Sequence, residues 1–103
     1  MNVIAPRTLR AFWEKHDQAE TPLKEWQKSM QKGDFASLND LRAVWPHADL
    51  VQAKGNVPVI VFNISGNKYR LVVNVNWLYK SVFVKRVMTH AEYDAWNKEG
   101  RPL

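Results

Sequence analysis

Residues 57–76 read VPVIVFNISGNKYRLVVNVN, and this stretch decides the fold. Val57–Ile64 is apolar and rich in β-branched residues, Ser65-Gly66-Asn67 is a turn cluster, and Lys68–Asn76 is β-rich again. Such runs around a short Gly-Asn turn predict a β-hairpin. Ser81–Met88 is a further strand candidate, and Asp49–Ala53 a weaker one ahead of the hairpin.

Outward from this hairpin the grammar is helical. At the amino end, Met1–Ile4 reads as a brief strand leading into Pro6. Leu9, Phe12, Trp13 and His16 then recur at i, i+3, i+4 and i+7, one face of a helix of roughly three turns. Thr21-Pro22 predicts a second helix with Thr21 as N-cap and Pro22 at its first position. Leu23, Trp26 and Met30 line one side of it, and Gly33 is its expected stop. Ser37 and Asp40 open a shorter third piece with Leu38, Leu41 and Val44/Trp45 on its apolar side, and Pro46 ends it. Beyond the strands, Thr89-His90-Ala91-Glu92 has the form of a capping box, so a last helix runs from Thr89 to about Asn97. No repeat, linker or low-complexity tract interrupts the pattern. The expectation is one α+β domain over residues 1–103: N-terminal helices packed on a small, mostly antiparallel sheet, with a short C-terminal helix.

Composition narrows the chemistry. The chain is 46% hydrophobic with five tryptophans, enough for one packed core. It has no cysteine, which excludes disulfides, thiolate metal sites and a Cys nucleophile. The opening MNVIAPRTLR lacks the apolar core of a signal peptide, and no apolar run approaches membrane-spanning length. A soluble, cytoplasmic protein without a membrane partner is expected.

Charge is distributed unevenly. From Leu50 to Ala91 there are six basic residues (Lys54, Lys68, Arg70, Lys80, Lys85, Arg86) and no Asp or Glu. Residues 1–49 carry seven of each sign, and residues 92–103 two basic and three acidic, so the formal +5 comes from the middle block. A single-sign surface repels itself and is normally avoided. This one points to an anion, with a phosphate backbone as first candidate. Alternation places Lys68 and Arg70 on one face with Val72 and Asn74, whereas Lys85 and Arg86 point to opposite faces, so only one of them joins that surface.

Two segments carry a family likeness: Val61–Leu71 (VFNISGNKYRL) and Val87–Asp94 (VMTHAEYD). With the Leu41–Pro46 stretch ahead of them, in this order and spacing, they make the chain resemble the HigB toxin branch of the RelE-like family, the toxic half of bacterial type II toxin–antitoxin systems. The likeness runs over nearly the whole chain. It implies a RelE-like α+β fold, an mRNA interferase that cleaves mRNA on the ribosome, and a HigA-like helix-turn-helix antitoxin as partner.

RNA cleavage without a metal needs a base for the 2′-OH proton, cations for the charge growing on the phosphate, and an acid for the departing 5′-oxygen. Arg70 suits the phosphate, being permanently charged and able to hold two oxygens at once. Lys68, Lys85, Arg86 and Lys54 are candidates for binding the RNA backbone, although a solvated surface cation is the ordinary fate of any one of them. His90, at the first position of a capped helix, meets the positive end of the helix dipole, which disfavours imidazolium and leaves the ring able to accept a proton near neutral pH. Completing the cap is its alternative role. Tyr93, one turn on, can stack on a base or bring its hydroxyl to the phosphate, in competition with packing beside Trp96. By motif, Arg70, His90 and Tyr93 match the basic residues and C-terminal tyrosine or histidine that the resemblance implies as the catalytic set, with acid and base left unassigned. Asp94 is placed either to orient His90 or to face solvent.

Other chemistries find little support. His16, His47 and His90 show no metal-ligand spacing beyond the His90/Asp94 pair at i, i+4, and there is no nucleophile elbow, P-loop or dinucleotide fingerprint. No metal or cofactor is expected. A non-catalytic RNA- or ribosome-binding module using the same basic face is the second reading. A DNA-binding repressor ranks third, because the N-terminal helices are charge-neutral overall.

Overall fold

The computed structural model describes residues 1–103. The chain runs β1 (Asn2–Ile4), α1 (Pro6–Lys15), a 3-10 turn (Asp17–Ala19), α2 (Glu20–Lys32), α3 (Leu38–Val44), β2 (Asp49–Ala53), β3 (Val57–Ile64), β4 (Tyr69–Asn76), β5 (Ser81–Thr89) and α4 (His90–Lys98). The strands form one sheet in the order β1-β5-β4-β3-β2, antiparallel throughout except where β1 lies parallel to β5. The expected α+β architecture, with a mostly antiparallel sheet and a short C-terminal helix, is the one observed.

Local chemistry accounts for most boundaries. Ser37 caps α3, its Oγ accepting from the Asp40 N–H at 3.4 Å, while the Asp40 carboxylate accepts from the Ala36 N–H at 3.0 Å. The capping box of α4 is complete: Thr89 Oγ1 accepts from the Glu92 N–H at 3.2 Å, and Glu92 Oε1 accepts from the Thr89 N–H at 2.8 Å. The hairpin turn sets Ser65 and Gly66 at φ 55° and 66°, the left-handed backbone that a tight connection between twisted strands requires.

At α2 the structure differs from the expectation. Thr21 is not the N-cap, because the 3-10 turn already carries the chain into helical geometry and α2 begins at Glu20. Pro22 still fits, since first-turn N–H groups have no intrahelical acceptor to lose. Gly33 does end α2, though in extended backbone (φ −74°, ψ 146°). The Phe35 ring occupies the space a Cβ at Gly33 would need, so any larger residue there would have to displace that buried ring.

The sheet buries both faces. On one, Ile60, Phe62, Ile64, Tyr69, Leu71, Val73, Val82 and Val84 pack against Leu9 of α1, Leu23, Trp26 and Met30 of α2, and Leu41 of α3. On the other, Val51, Val59, Val61, Val72 and Met88 pack against Trp96 of α4. Strand β5 serves both cores by means of a β-bulge. Val73 pairs with Val84 and Val72 with Arg86, leaving Lys85 as the extra residue. The bulge reverses the alternation, so Val82 and Val84 face the N-terminal helices while Arg86 and Met88 face α4.

Candidate active site

The α4 face of the sheet is apolar through its middle and becomes polar at one end. Asn63 of β3 pairs across the sheet with Arg70 of β4, and Arg70 pairs with Met88 of β5. Asp49 opens β2 opposite Val61. Above this corner passes the connection Trp45–Ala48, whose direction is set where Pro46 stops α3; Arg42 Nε holds it by donating to the Ala48 carbonyl at 2.9 Å. From the other side, the first turn of α4 brings in Tyr93. The result is an open groove of about 430 Å³ lined by Arg42, His47, Asp49, Asn63, Arg70 and Tyr93, among others.

Arg70 and Tyr93 are the best-organised pair in this groove. The guanidinium carbon of Arg70 lies 5.5 Å from the Tyr93 ring centroid, within cation–π range, and Arg70 Nη1 donates to the Tyr69 carbonyl at 3.1 Å. Tyr93 in turn stacks on Trp96 (5.8 Å, 29° between planes). Trp96 is buried, and its Nε1–H donates to the Pro102 carbonyl at 2.6 Å. Tyr93 thus packs on Trp96, as the helical spacing allowed, and also borders the groove.

The salt bridges of the protein are Lys24–Glu20, Lys80–Asp34 and His90–Asp94. Arg70 takes part in none of them, so no carboxylate neutralises it at contact distance even though Asp49 lines the same groove. A half-buried guanidinium with fixed orientation and no carboxylate partner is well suited to an anionic ligand.

His90 is the first residue of α4, at the same end of the sheet, because Thr89 pairs with Tyr69. Its Nδ1 lies 3.3 Å from Asp94 Oδ2, with both side chains more than half exposed. The His90–Asp94 pair therefore lies on the exposed side of the helix that supplies Tyr93. No group of three His, Asp or Glu side chains converges to hold a metal ion.

The other cations expected to meet RNA are dispersed. Lys68 precedes β4, and its ammonium is 5.7 Å from the ring of Tyr69, which packs edge-on to Phe12 of α1; it leans to the helical side, away from Arg70. Of the two neighbours on β5, the bulge puts Arg86 on the face of Arg70, but its Nε donates to the Pro102 carbonyl at 3.0 Å. Lys85 is exposed at the bulge, and both border a separate hollow that also includes Glu92 and Glu99. Lys54 follows β2 at the end opposite Asp49, about 16 Å away at about 3.3 Å per residue. Reasoning from the sequence missed His47, Asp49, Arg42 and Asn63. The kink at Pro46 was the available pointer to a loop presenting His47; nothing local marked the other three.

Comparison with known proteins places these elements in a family. Residues 19–96, which contain every groove residue named above, match the model of the HigB toxin family, described as the RelE-like toxic component of a toxin–antitoxin system. The chain is 34% identical over 94 residues to the mRNA interferase toxin HigB of Escherichia coli strain K12, covering 91% of this chain and 88% of that one. The mRNA interferase HigB of Shigella flexneri is similar to the same extent. That of Escherichia coli O6:H1 is 24% identical over 94 residues, with 91% and 89% covered.

Proposed function

This chain belongs to the HigB family of RelE-like toxins of toxin–antitoxin systems, and we propose that it is an endoribonuclease that cleaves mRNA on the translating ribosome. It acts in the cytoplasm without a metal ion, stops translation, and is held in check by a HigA-like helix-turn-helix antitoxin. The observation that carries the chemistry is Arg70, braced by Tyr93 in an open groove and paired with no carboxylate.

The RNA lies in the groove with one phosphate on the Arg70 guanidinium, which binds two non-bridging oxygens and stabilises the charge that grows on them. The 2′-oxygen of the preceding ribose attacks the phosphorus as its proton leaves. The O2′–P bond forms, the P–O5′ bond breaks, and a proton is delivered to the departing 5′-oxygen. The products are a 2′,3′-cyclic phosphate and a 5′-hydroxyl. The His90–Asp94 pair and the Tyr93 hydroxyl carry these proton transfers from the α4 side. Arg42, in the same groove, adds positive potential along the backbone path.

Inducing the protein without its antitoxin, followed by mapping RNA ends, tests the proposal. New 5′-hydroxyl ends within translated mRNA, lost in Arg70→Ala, are expected. If the wild-type protein binds ribosomes and leaves mRNA whole, it is a non-catalytic ribosome-binding module on the same basic face.

A further inference from the structure

A second hollow, of about 440 Å³, adjoins the Arg70 groove and shares Pro46, His47, Ala48 and Asn63 with it. Its remaining walls are Trp45, Phe62 and the turn residues Gly66 and Asn67. From its composition and its continuity with the groove, we propose that this hollow is a nucleobase subsite that seats one base of the RNA beside the phosphate held on Arg70. The proposal rests on reading the Arg70 groove as the RNA-cleaving site.

Its walls suit a flat, polar-edged ring. Trp45 is half-buried, and its orientation is fixed twice: its Nε1–H donates to Ser29 Oγ at 3.2 Å, and its ring meets Phe62 edge-on at 5.8 Å and 85°. A Trp held this way offers an aromatic surface at little further entropic cost, and stacking on such surfaces is how single-stranded RNA bases are commonly held. Polar groups surround the aromatic wall. Asn63 and Asn67 each present an amide that both donates and accepts, and His47 comes from the loop above. A Cβ built at Gly66 would meet nothing within 4 Å, so the turn leaves open space on that side. The volume lies within the roughly 300–1,000 Å³ typical of small-molecule sites.

The register decides the geometry. Asn63 and Arg70 are directly paired on adjacent strands, about 4.8 Å apart. A phosphate on Arg70 and a base beyond Asn63 therefore belong to the same or neighbouring nucleotides. The apolar, aromatic half of the combined groove takes the base, and the charged half takes the backbone.

The test uses the full-length wild-type protein and NMR. Ribonucleoside 3′-monophosphates and ribose 5-phosphate are each titrated to millimolar concentration, following the Trp45 indole N–H and the amides of Gly66 and Asn67. Nucleotides are expected to shift all three, and ribose 5-phosphate to shift signals at Arg70 and Tyr93 instead. Asn67→Ala, at an exposed turn position where folding is little affected, is expected to change the relative use of cleavage sites in mapped mRNA by roughly 5- to 100-fold, the range for loss of a base contact. Arg70→Ala should lower cleavage at every site alike. Equal shifts from nucleotides and ribose 5-phosphate, or an unchanged cleavage map in Asn67→Ala, would overturn the subsite. An RNA-cleaving protein whose Trp45 ignores nucleotides loses the subsite alone. One that binds nucleotides here yet cuts no RNA loses the nuclease reading alone.

Discussion

The Tyr93 ring lies between Arg70, whose guanidinium carbon is 5.5 Å from its centroid, and Trp96, on which it stacks at 5.8 Å. One helical turn of α4 thus joins the hydrophobic core of the sheet to the one groove cation that is both half-buried and free of a carboxylate. Core packing and site geometry are coupled through this stack, and the coupling has measurable consequences.

Arg70→Ala should lower kcat/KM for mRNA cleavage by about 10²–10³, the usual cost of removing a donor that stabilises a transition-state anion. Arg70→Lys should recover only part of this, because an ammonium keeps the charge and loses the planar two-pronged contact and the seat on Tyr93. Ribosome-programmed cleavage measured at limiting enzyme separates the two variants; equal activity of Lys and Arg would show that charge alone suffices.

Tyr93→Phe preserves both stacks and removes only the hydroxyl. A fall in single-turnover rate of about 10²-fold assigns the hydroxyl to proton transfer, within the range for general acid–base groups. Tyr93→Ala should be worse still, since Arg70 loses its platform as well.

For the His90–Asp94 pair, His90→Gln is expected to reduce kcat and to flatten one limb of the pH–rate profile while leaving ribosome binding intact. Asp94→Asn, which keeps the shape and removes the charge beside the ring, should show a smaller loss of the same kind. A wild-type pH profile in His90→Gln would reduce this residue to its position in the helix cap.

The C-terminal strap should be structural. Pro102 accepts from both Trp96 Nε1 and Arg86 Nε, so Arg86→Ala removes one charge-assisted hydrogen bond and is expected to cost about 1–2 kcal/mol in urea unfolding. Trp96→Ala should cost about 3–5 kcal/mol by opening the core beneath α4. If Arg86→Ala instead leaves stability untouched and weakens RNA binding, Arg86 belongs with the backbone contacts after all.

Local signals in the chain were legible wherever the cause was local. Ser37, Pro46 and the Thr89/Glu92 box act within one turn of backbone, and the Gly66 turn closes strands that are neighbours in sequence, so each could be read in place. Thr21 misled because the turn at Asp17–Ala19 carries no compositional mark. The acid-free run likewise suggested a wholly basic surface, yet pairing of β2 with β3 brings Asp49, the residue just before that run, into the groove with Arg70.

By itself, the sequence determined the class of fold, the family resemblance, and the capped helix bearing His90 and Tyr93. These follow from periodicity, turn chemistry and motif, which act over a few residues at a time. Only the tertiary structure decided which cations meet. Strand register and the bulge at Lys85 turned Arg86 toward the C-terminal strap, sent Lys54 to the far end of the sheet, and gathered Arg42, His47 and Asn63 around Arg70. The physical reason is that a strand's partner and phase are set by burial on both faces of the whole sheet, and that free energy is not a property of any short segment.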